Sequence, residues 1–119
     1  MNTILIVEDD SEIREAIQDA LTLENYNVAT ANNGKEALEW LRINAKPQLI
    51  LLDLMMPVMD GKEFLSELRK TYPTFDRPVV VLSAAGEKNV PTGATDFVRK
   101  PIDLEDLLSV ASQYSQTTG

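Results

Sequence analysis

The chain has 119 residues, a hydrophobic fraction of 44% and a formal net charge of −8, so it is long enough for one packed domain of ordinary globular composition. The acidic balance disfavours nucleic acid and anionic membranes as direct partners, because they carry the same sign of charge. The sequence contains no Cys and no His, which excludes a disulfide frame, a thiol nucleophile and a catalytic imidazole, and argues against zinc.

The first residues lack the basic flank and the length of a signal peptide, and no apolar stretch is long enough to span a bilayer. The sequence also contains no internal repeat or linker. We therefore expect a cytoplasmic protein with a single domain over residues 1–119.

The first half of the chain alternates strands with helices. An aliphatic run at residues 4–7 predicts a strand buried on both faces, as in a parallel sheet covered by helices. Amphipathic spacing then predicts a helix to residue 23 and another at 34–44. Turn residues at 25–27 and 32–34 bound a strand predicted at 28–31. A further aliphatic run at 49–52 predicts the central strand. This β-α-β-α-β order indicates right-handed crossovers and a doubly wound α/β sheet.

The second half continues the same pattern. Pro57 and Gly61 indicate a loop after the central strand. A helix follows this loop, and we expect it to end near residue 71. Apolar runs predict a fourth strand at 79–82 and a short fifth strand at 95–98. The last predicted helix covers residues 104–114, and the polar residues after it are expected to fray.

Polar side chains follow the strands at the point where each strand ends. Glu8 and Asp9 follow the first strand, and Asp53 follows the central one. Ser83 follows the fourth strand and Lys100 the fifth. Singly, an Asp or Ser at a strand end is more often a turn or cap residue, and a lone Lys is more often a solvated one. Because ligands bind beyond the carboxyl ends of such strands, we expect the five side chains to share one crevice.

Three carboxylates in one crevice repel each other, each pair by roughly 4 kcal/mol at 4 Å and an effective dielectric of about 20. Lys100 supplies one compensating charge, and an oxygen-seeking divalent ion, Mg²⁺, is the natural second. The Asp53 carboxylate can then act as a nucleophile toward a phosphoryl group. Ser83 and Lys100 can hold the other phosphoryl oxygens.

The sequence resembles the CheY-like receiver domain of bacterial response regulators in four motifs, taken in order. They are Ile4-Leu5-Ile6-Val7-Glu8-Asp9-Asp10, Leu51-Leu52-Asp53-Leu54-Met55-Met56-Pro57-Val58-Met59-Asp60-Gly61, Ser83-Ala84 and Lys100-Pro101. The resemblance covers nearly the whole chain and implies a flavodoxin-like sheet with strand order 2-1-3-4-5. It also implies that Asp53 accepts phosphate from a sensor histidine kinase or a phosphotransfer protein.

The resemblance further implies a set of metal ligands. Glu8 and Asp9 would hold Mg²⁺, together with Asp53 and the backbone carbonyl of Met55. A cis peptide bond between Lys100 and Pro101 would aim the lysine into the pocket.

By the same resemblance, Ser83 and Phe97 form a switch. Ser83 would move to bond the phosphoryl group, and Phe97 would turn inward to fill the space, which changes protein contacts downstream. Phe97 has no hydroxyl group, so its signal would come from packing. The alternative, that Phe97 is simply a core aromatic, stays open.

One departure from the family pattern concerns the segment between the fourth and fifth strands. Receivers usually place a full helix there, whereas only residues 84–94 are available, and Pro91 and Gly93 lie among them. We predict that this fourth helix is missing or is one turn at 86–90. The protein would then signal through another face or to an unusual partner.

Three functions remain open. The first is a phosphoaccepting module that catalyses only its own phosphorylation and dephosphorylation. We expect it to act on an unknown downstream protein and to have no DNA-binding segment after residue 114. The second is a degenerate receiver used as a binding adaptor. The third is a phosphohydrolase of the haloacid-dehalogenase type, but that class needs a second Asp two residues after the first, where this chain has Met55.

Overall fold

The computed structural model describes residues 3–84 and 90–115. These residues form five strands and four helices, which alternate except that the fifth strand follows the fourth with no described helix between them. The elements are β1 (Thr3–Val7), α1 (Ser11–Leu23), β2 (Asn27–Ala31), α2 (Gly34–Ile43), β3 (Leu49–Asp53), α3 (Gly61–Thr71), β4 (Val79–Ser83), β5 (Asp96–Arg99) and α4 (Leu104–Ser115). In this part of the chain, no helix has the length and apolar character needed to cross a membrane.

The five strands form one parallel sheet in the order β2-β1-β3-β4-β5, which confirms the predicted doubly wound α/β fold. The register aligns the carboxyl ends of the strands. Val7 pairs with both Ala31 and Leu52, and Ser83 pairs with Arg99. The residues that follow these strands therefore meet along one edge of the sheet.

The sheet separates two apolar layers, because alternate residues of a strand point to opposite faces. Every residue of β3 and β4 is buried, as expected for strands covered on both sides. One layer packs α2 and α3 on the sheet through Leu5, Val7, Ile50, Leu52, Ala37, Leu41, Phe64 and Leu68. The other packs α1 and α4 through Ile4, Ile6, Leu49, Leu51, Ile17, Leu21, Leu107 and Ala111.

The helices begin close to the ends of the strands, and each of the first three has a polar N-cap. The Asp10 side chain accepts hydrogen bonds from the amides of Glu12 and Ile13, and Asn33 caps α2. Asp60 and Glu63 form a reciprocal capping box at the start of α3. Such caps typically contribute about 1 kcal/mol each, and they fix the turns that surround the functional edge of the sheet.

The connection from β4 to β5 contains no helix in its described part, which is Ala84 and residues 90–95. The helical turn predicted at 86–90 falls almost wholly on residues 85–89, outside the described residues. Residues 91–95 are held against α3 and β4. Arg69 donates hydrogen bonds to the carbonyls of Phe75 and Gly93, at 3.0 and 2.7 Å, and the Thr95 amide donates to Val79 at 2.8 Å.

Candidate functional site

An open cleft of about 920 Å³ lies at the carboxyl edge of the sheet. The residues singled out from the sequence that line it are Glu8, Asp9, Asp53, Met55, Ser83 and Lys100. They come from the ends of β1, β3, β4 and β5 and from the loop after β3. The parallel register thus brings together side chains that are far apart in the sequence.

Lys100 lies between two carboxylates. Its Nζ donates hydrogen bonds to Oε1 of Glu8 at 3.0 Å and to Oδ1 of Asp53 at 3.1 Å. The Lys100–Pro101 peptide bond is cis, as the family resemblance implies. The Lys100 amide also donates to the carbonyl of Ser83 at 2.9 Å, which ties the end of β5 to that of β4.

Glu8 is fully buried, and its pKa is raised to about 7. Burial is the largest cause, because removal from water disfavours the charged carboxylate, and the adjacent Asp53 raises the pKa further by hydrogen bond and charge. The hydrogen bonds from Lys100 and from the Asp10 amide, the latter at 3.2 Å, act in the opposite direction. Glu8 therefore exchanges a proton near neutral pH, and a bound cation would compete with that proton.

Burial lowers the pKa of Lys100, because it disfavours the charged ammonium, but the two neighbouring acids together raise this pKa by more. The hydrogen bond to Glu8 and the negative charges of Asp53 and Glu8 leave the pKa of Lys100 above its usual value. Lys100 consequently keeps its positive charge at neutral pH. It is the one cation that hydrogen-bonds both buried acids among the described residues.

Asp53 is 2% exposed and ends the fully buried strand β3. The Met55 amide donates to Oδ1 of Asp53 at 3.3 Å, within the tight loop that follows the strand. The start of α3 packs under this loop, where the Gly61 amide donates to the Leu54 carbonyl at 3.1 Å. A Cβ atom on Gly61 would lie 2.6 Å from the carbonyl oxygen of Asp53, so this close approach requires glycine.

Carboxylate oxygens of Glu8, Asp9 and Asp53 lie within 4.8 Å of one another. This all-oxygen donor set suits a hard divalent ion such as Mg²⁺, which binds through one or two carboxylates and retains water molecules. Asp9 is exposed, whereas the other two acids are buried, so the candidate metal position opens to the cleft. Met55 lines the same cleft, and its carbonyl as a fourth ligand stays a prediction.

Ser83 and Phe97 are placed on one face of the sheet. Val81 pairs with Phe97, and Ser83 follows Val81 by two residues, so all three side chains share a face. Ser83 is 4% exposed and borders the cleft, whereas Phe97 is only half-buried. The proposed movement of the pair stays a prediction, and Phe97 is not a fully buried core aromatic in this conformation.

Arg14 is a residue of this region that the sequence analysis did not single out. Its Nη1 donates to the carbonyl of Glu8 at 3.0 Å and lies 3.4 Å from that of Asp9. Arg14 is the fourth residue of α1, and a cation near the N-terminus of a helix interacts unfavourably with the helix dipole. That unfavourable placement was the signal available in the sequence.

Comparison with known proteins gives a consistent picture. The family model of the response regulator receiver domain matches residues 4–112. The CpxR homolog of Haemophilus influenzae, a transcriptional regulatory protein, is 40% identical in an alignment 114 residues long, and the match covers 92% of this chain and 48% of that protein. Response regulator MprA of Mycobacterium sp. strain KMS is 39% identical over 89% of this chain and 47% of its own length. The chain thus spans about half the length of these relatives.

Solved structures agree in fold. Chemotaxis protein CheY4 of Vibrio cholerae superposes with a TM-score of 0.81 at 30% identity and covers 96% of this chain and 98% of its own. Response regulator TrrA of Thermotoga maritima, solved in complex with Mg²⁺ and BeF, has a TM-score of 0.84 at 30% identity. It covers 96% of this chain and 99% of its own.

Proposed function

Since the chain belongs to the response regulator receiver domain family, we propose that Asp53 accepts a phosphoryl group from a phosphohistidine of a sensor histidine kinase or phosphotransfer protein. Residues 1–119 would form one such domain. The observation that carries the proposal is the Lys100 ammonium shared between the Glu8 and Asp53 carboxylates, in a cleft that Asp9 and Ser83 also line. A structural ion pair alone would not need the third acid or the open cleft.

The reaction is a transfer between two nucleophiles. An oxygen of the Asp53 carboxylate attacks the phosphorus atom of the donor, a P–O bond forms and the P–N bond to the donor imidazole breaks. The departing imidazole nitrogen keeps the electron pair of that bond. The product is a mixed anhydride on Asp53, and the protein turns over no other substrate.

The residues around Asp53 would stabilise the charge of the transferring group. Lys100, which stays protonated, can release Asp53 and pair with a phosphoryl oxygen. The Ser83 hydroxyl can donate to another oxygen from the end of β4. When bound by Glu8, Asp9 and Asp53, Mg²⁺ supplies positive charge that offsets the negative charge of the acids and the phosphoryl group.

Phosphorylation would change protein contacts rather than nucleic-acid contacts of this domain, whose net charge is −8. Movement of Ser83 toward the phosphoryl group would alter the sheet face that it shares with Phe97. The downstream protein would bind at the face that Ser83 and Phe97 share, and its affinity would change on phosphorylation.

The adaptor function is not favoured, because a binding module has no need for three converging acids and a bridging lysine. The residue two positions after Asp53 argues against the phosphohydrolase function. The Met55 side chain is 81% exposed and offers no acid. A hydrolase of that class requires a second carboxyl group there.

Incubation of the purified protein with acetyl phosphate and Mg²⁺, followed by intact mass spectrometry, tests the proposal. We expect one added phosphoryl group per chain, dependent on Mg²⁺, and none on the Asp53→Asn variant. The matched control is Asp10→Asn, because Asn also caps helices well and α1 should stay intact. Lack of any adduct on the wild-type protein would favour the adaptor, and rapid turnover of several phosphate esters would favour the hydrolase.

A further inference from the structure

Arg14 occupies a position that helix electrostatics disfavours. It is the fourth residue of α1, where a cation faces the positive end of the helix dipole. Its side chain is half-buried and turns back toward the end of β1, where Nη1 is 3.0 Å from the Glu8 carbonyl and 3.4 Å from the Asp9 carbonyl. The guanidinium group therefore donates hydrogen bonds to the turn that carries Glu8 and Asp9, two of the three acids.

The two carbonyls that Arg14 contacts lie beyond the strand. Sheet pairing of β1 ends at Val7, although the Glu8 amide still donates to the Ala31 carbonyl at 3.1 Å. Polar backbone groups in a partly buried turn need partners. Arg14 supplies the donor for two successive peptide groups and so fixes their orientation.

This support matters more for Asp9 than for Glu8. The Glu8 carboxylate is also held by Lys100 and by the Asp10 amide. The Asp9 side chain is exposed, and within residues 3–84 and 90–115 the hydrogen bond described for Asp9 is the one from Arg14 to its carbonyl. The described support of Asp9 therefore acts on its backbone, which determines where its carboxylate starts from.

We propose that Arg14 is a positioning residue, which orients the Glu8–Asp9 turn so that the Asp9 carboxylate faces the cation position shared with Glu8 and Asp53. The inference rests on the proposed Mg²⁺-dependent function. It concerns a residue that would touch neither the ion nor the phosphoryl group. Loss of a group that orients metal ligands typically weakens metal affinity by about 10–100-fold.

The test compares the variants Arg14→Gln and Arg14→Lys with wild type and with Arg42→Gln, which removes an exposed Arg from the last turn of α2. Calorimetric titration with Mg²⁺ measures affinity, and amide exchange in metal-free protein measures the order of the turn. For Arg14→Gln we expect about tenfold weaker Mg²⁺ binding and faster exchange at the Asp10 amide, which bonds Glu8. Arg14→Lys should recover part of the affinity, and Arg42→Gln should match wild type.

Two results would overturn the role of Arg14. One is an affinity of Arg14→Gln within twofold of wild type. The other is faster exchange throughout the chain, with no recovery in Arg14→Lys, which would show a general loss of stability rather than positioning of the turn. If wild-type protein itself neither binds Mg²⁺ nor takes up phosphate, the proposed function fails instead, and the two failures are thereby distinguished.

Discussion

The charges of three residues, Glu8, Asp53 and Lys100, determine the electrostatics of the buried end of the cleft. Two buried acids, Glu8 and Asp53, share one ammonium group from Lys100, so one negative charge remains in excess before any ion binds. The protein accommodates this excess through Glu8, whose pKa is raised to about 7 first by burial and then by Asp53. A proton on Glu8 thus neutralises the charge that a bound metal ion would otherwise offset.

This balance predicts a pH-dependent stability in the absence of divalent ions. Because the pKa of Glu8 is about 7 in the folded protein and 4.5 for an unperturbed glutamate, the folded state holds more protons between these values. The stabilisation by protonated Glu8 is complete below pH 4.5 and is lost as pH rises through 7. In Glu8→Gln this loss should be absent, which would stabilise the variant relative to wild type at pH 8 by up to roughly 3 kcal/mol.

Urea denaturation of metal-free protein at pH 5 and pH 8 measures this difference. The exposed Glu39 lies outside the cleft, so Glu39→Gln is the matched control and should follow wild type at both values. If Glu8→Gln changed the free energy of unfolding equally at both pH values, a raised pKa of Glu8 would be contradicted.

At the scale of elements, the loop between β3 and α3 holds Asp53 in place. Gly61 allows α3 to start directly beneath the strand end, with its amide bonded to Leu54. The Gly34 amide donates to the Met59 carbonyl at 3.1 Å, which fixes the other side of the loop to the start of α2. The starts of α2 and α3 thereby hold the segment that follows Asp53 on both sides.

The substitution Gly61→Ala should therefore displace the Asp53 backbone. Its Cβ atom would meet the Asp53 carbonyl oxygen at 2.6 Å and the Leu54 Cα atom at 2.9 Å, and neither backbone atom can move without the strand. We expect a loss of about 1–3 kcal/mol in the free energy of unfolding and slower uptake of phosphate from acetyl phosphate. Ser66→Ala, at an exposed position of the same helix, should change neither quantity. If Gly61→Ala had the same free energy of unfolding as wild type, the loop would accommodate the added Cβ atom and the predicted displacement of Asp53 would be wrong.

A second set of contacts between elements ties α3 to the connection before β5. Arg69 bonds the carbonyls of Phe75 and Gly93. Arg69→Gln should lower the free energy of unfolding by about 1–3 kcal/mol and accelerate amide exchange at Ala94 and Thr95. Lys70→Gln removes only an exposed ion pair of 3.6 Å with Glu67 and should have little effect. Unchanged exchange at these two amides would mean that Arg69 does not hold the connection.

For the whole molecule, the sequence was sufficient to predict the sheet, because continuous aliphatic runs are typical of strands buried on both faces. The predicted fifth strand, at 95–98, is displaced by one residue from Asp96–Arg99 in the structure. Residues at the strand ends could be placed at one edge because parallel strands share a direction.

The exact partners of side chains could not be predicted. The sequence indicated that Lys100 shares the crevice with the acids, but its bonds to both Glu8 and Asp53 depend on the register of four strands. The bonds made by Arg14 and Arg69 depend on side-chain conformation, which hydrophobic periodicity does not encode. The half-buried state of Phe97 likewise depends on what lies against β5.

Binding of Mg²⁺ should stabilise the whole molecule, because the ion relieves repulsion that only the folded state creates. A ligand at 100 times its dissociation constant adds about 2.7 kcal/mol to the free energy of unfolding. We expect thermal denaturation to show a higher Tm with Mg²⁺ in wild type and a smaller rise in Asp9→Asn, which weakens the donor set. A Tm that does not respond to Mg²⁺ would contradict the proposed ion site.

The most direct measurement of the central claim is identification of the phosphorylated side chain. After incubation with a phosphohistidine donor and Mg²⁺, borohydride reduction converts an acyl phosphate into an alcohol, and tandem mass spectrometry of the peptides locates it. We expect a single reduced residue at Asp53, formed only with Mg²⁺. Modification at Glu8, Asp9 or Asp60 instead, or phosphate uptake that persists in Asp53→Asn, would contradict it.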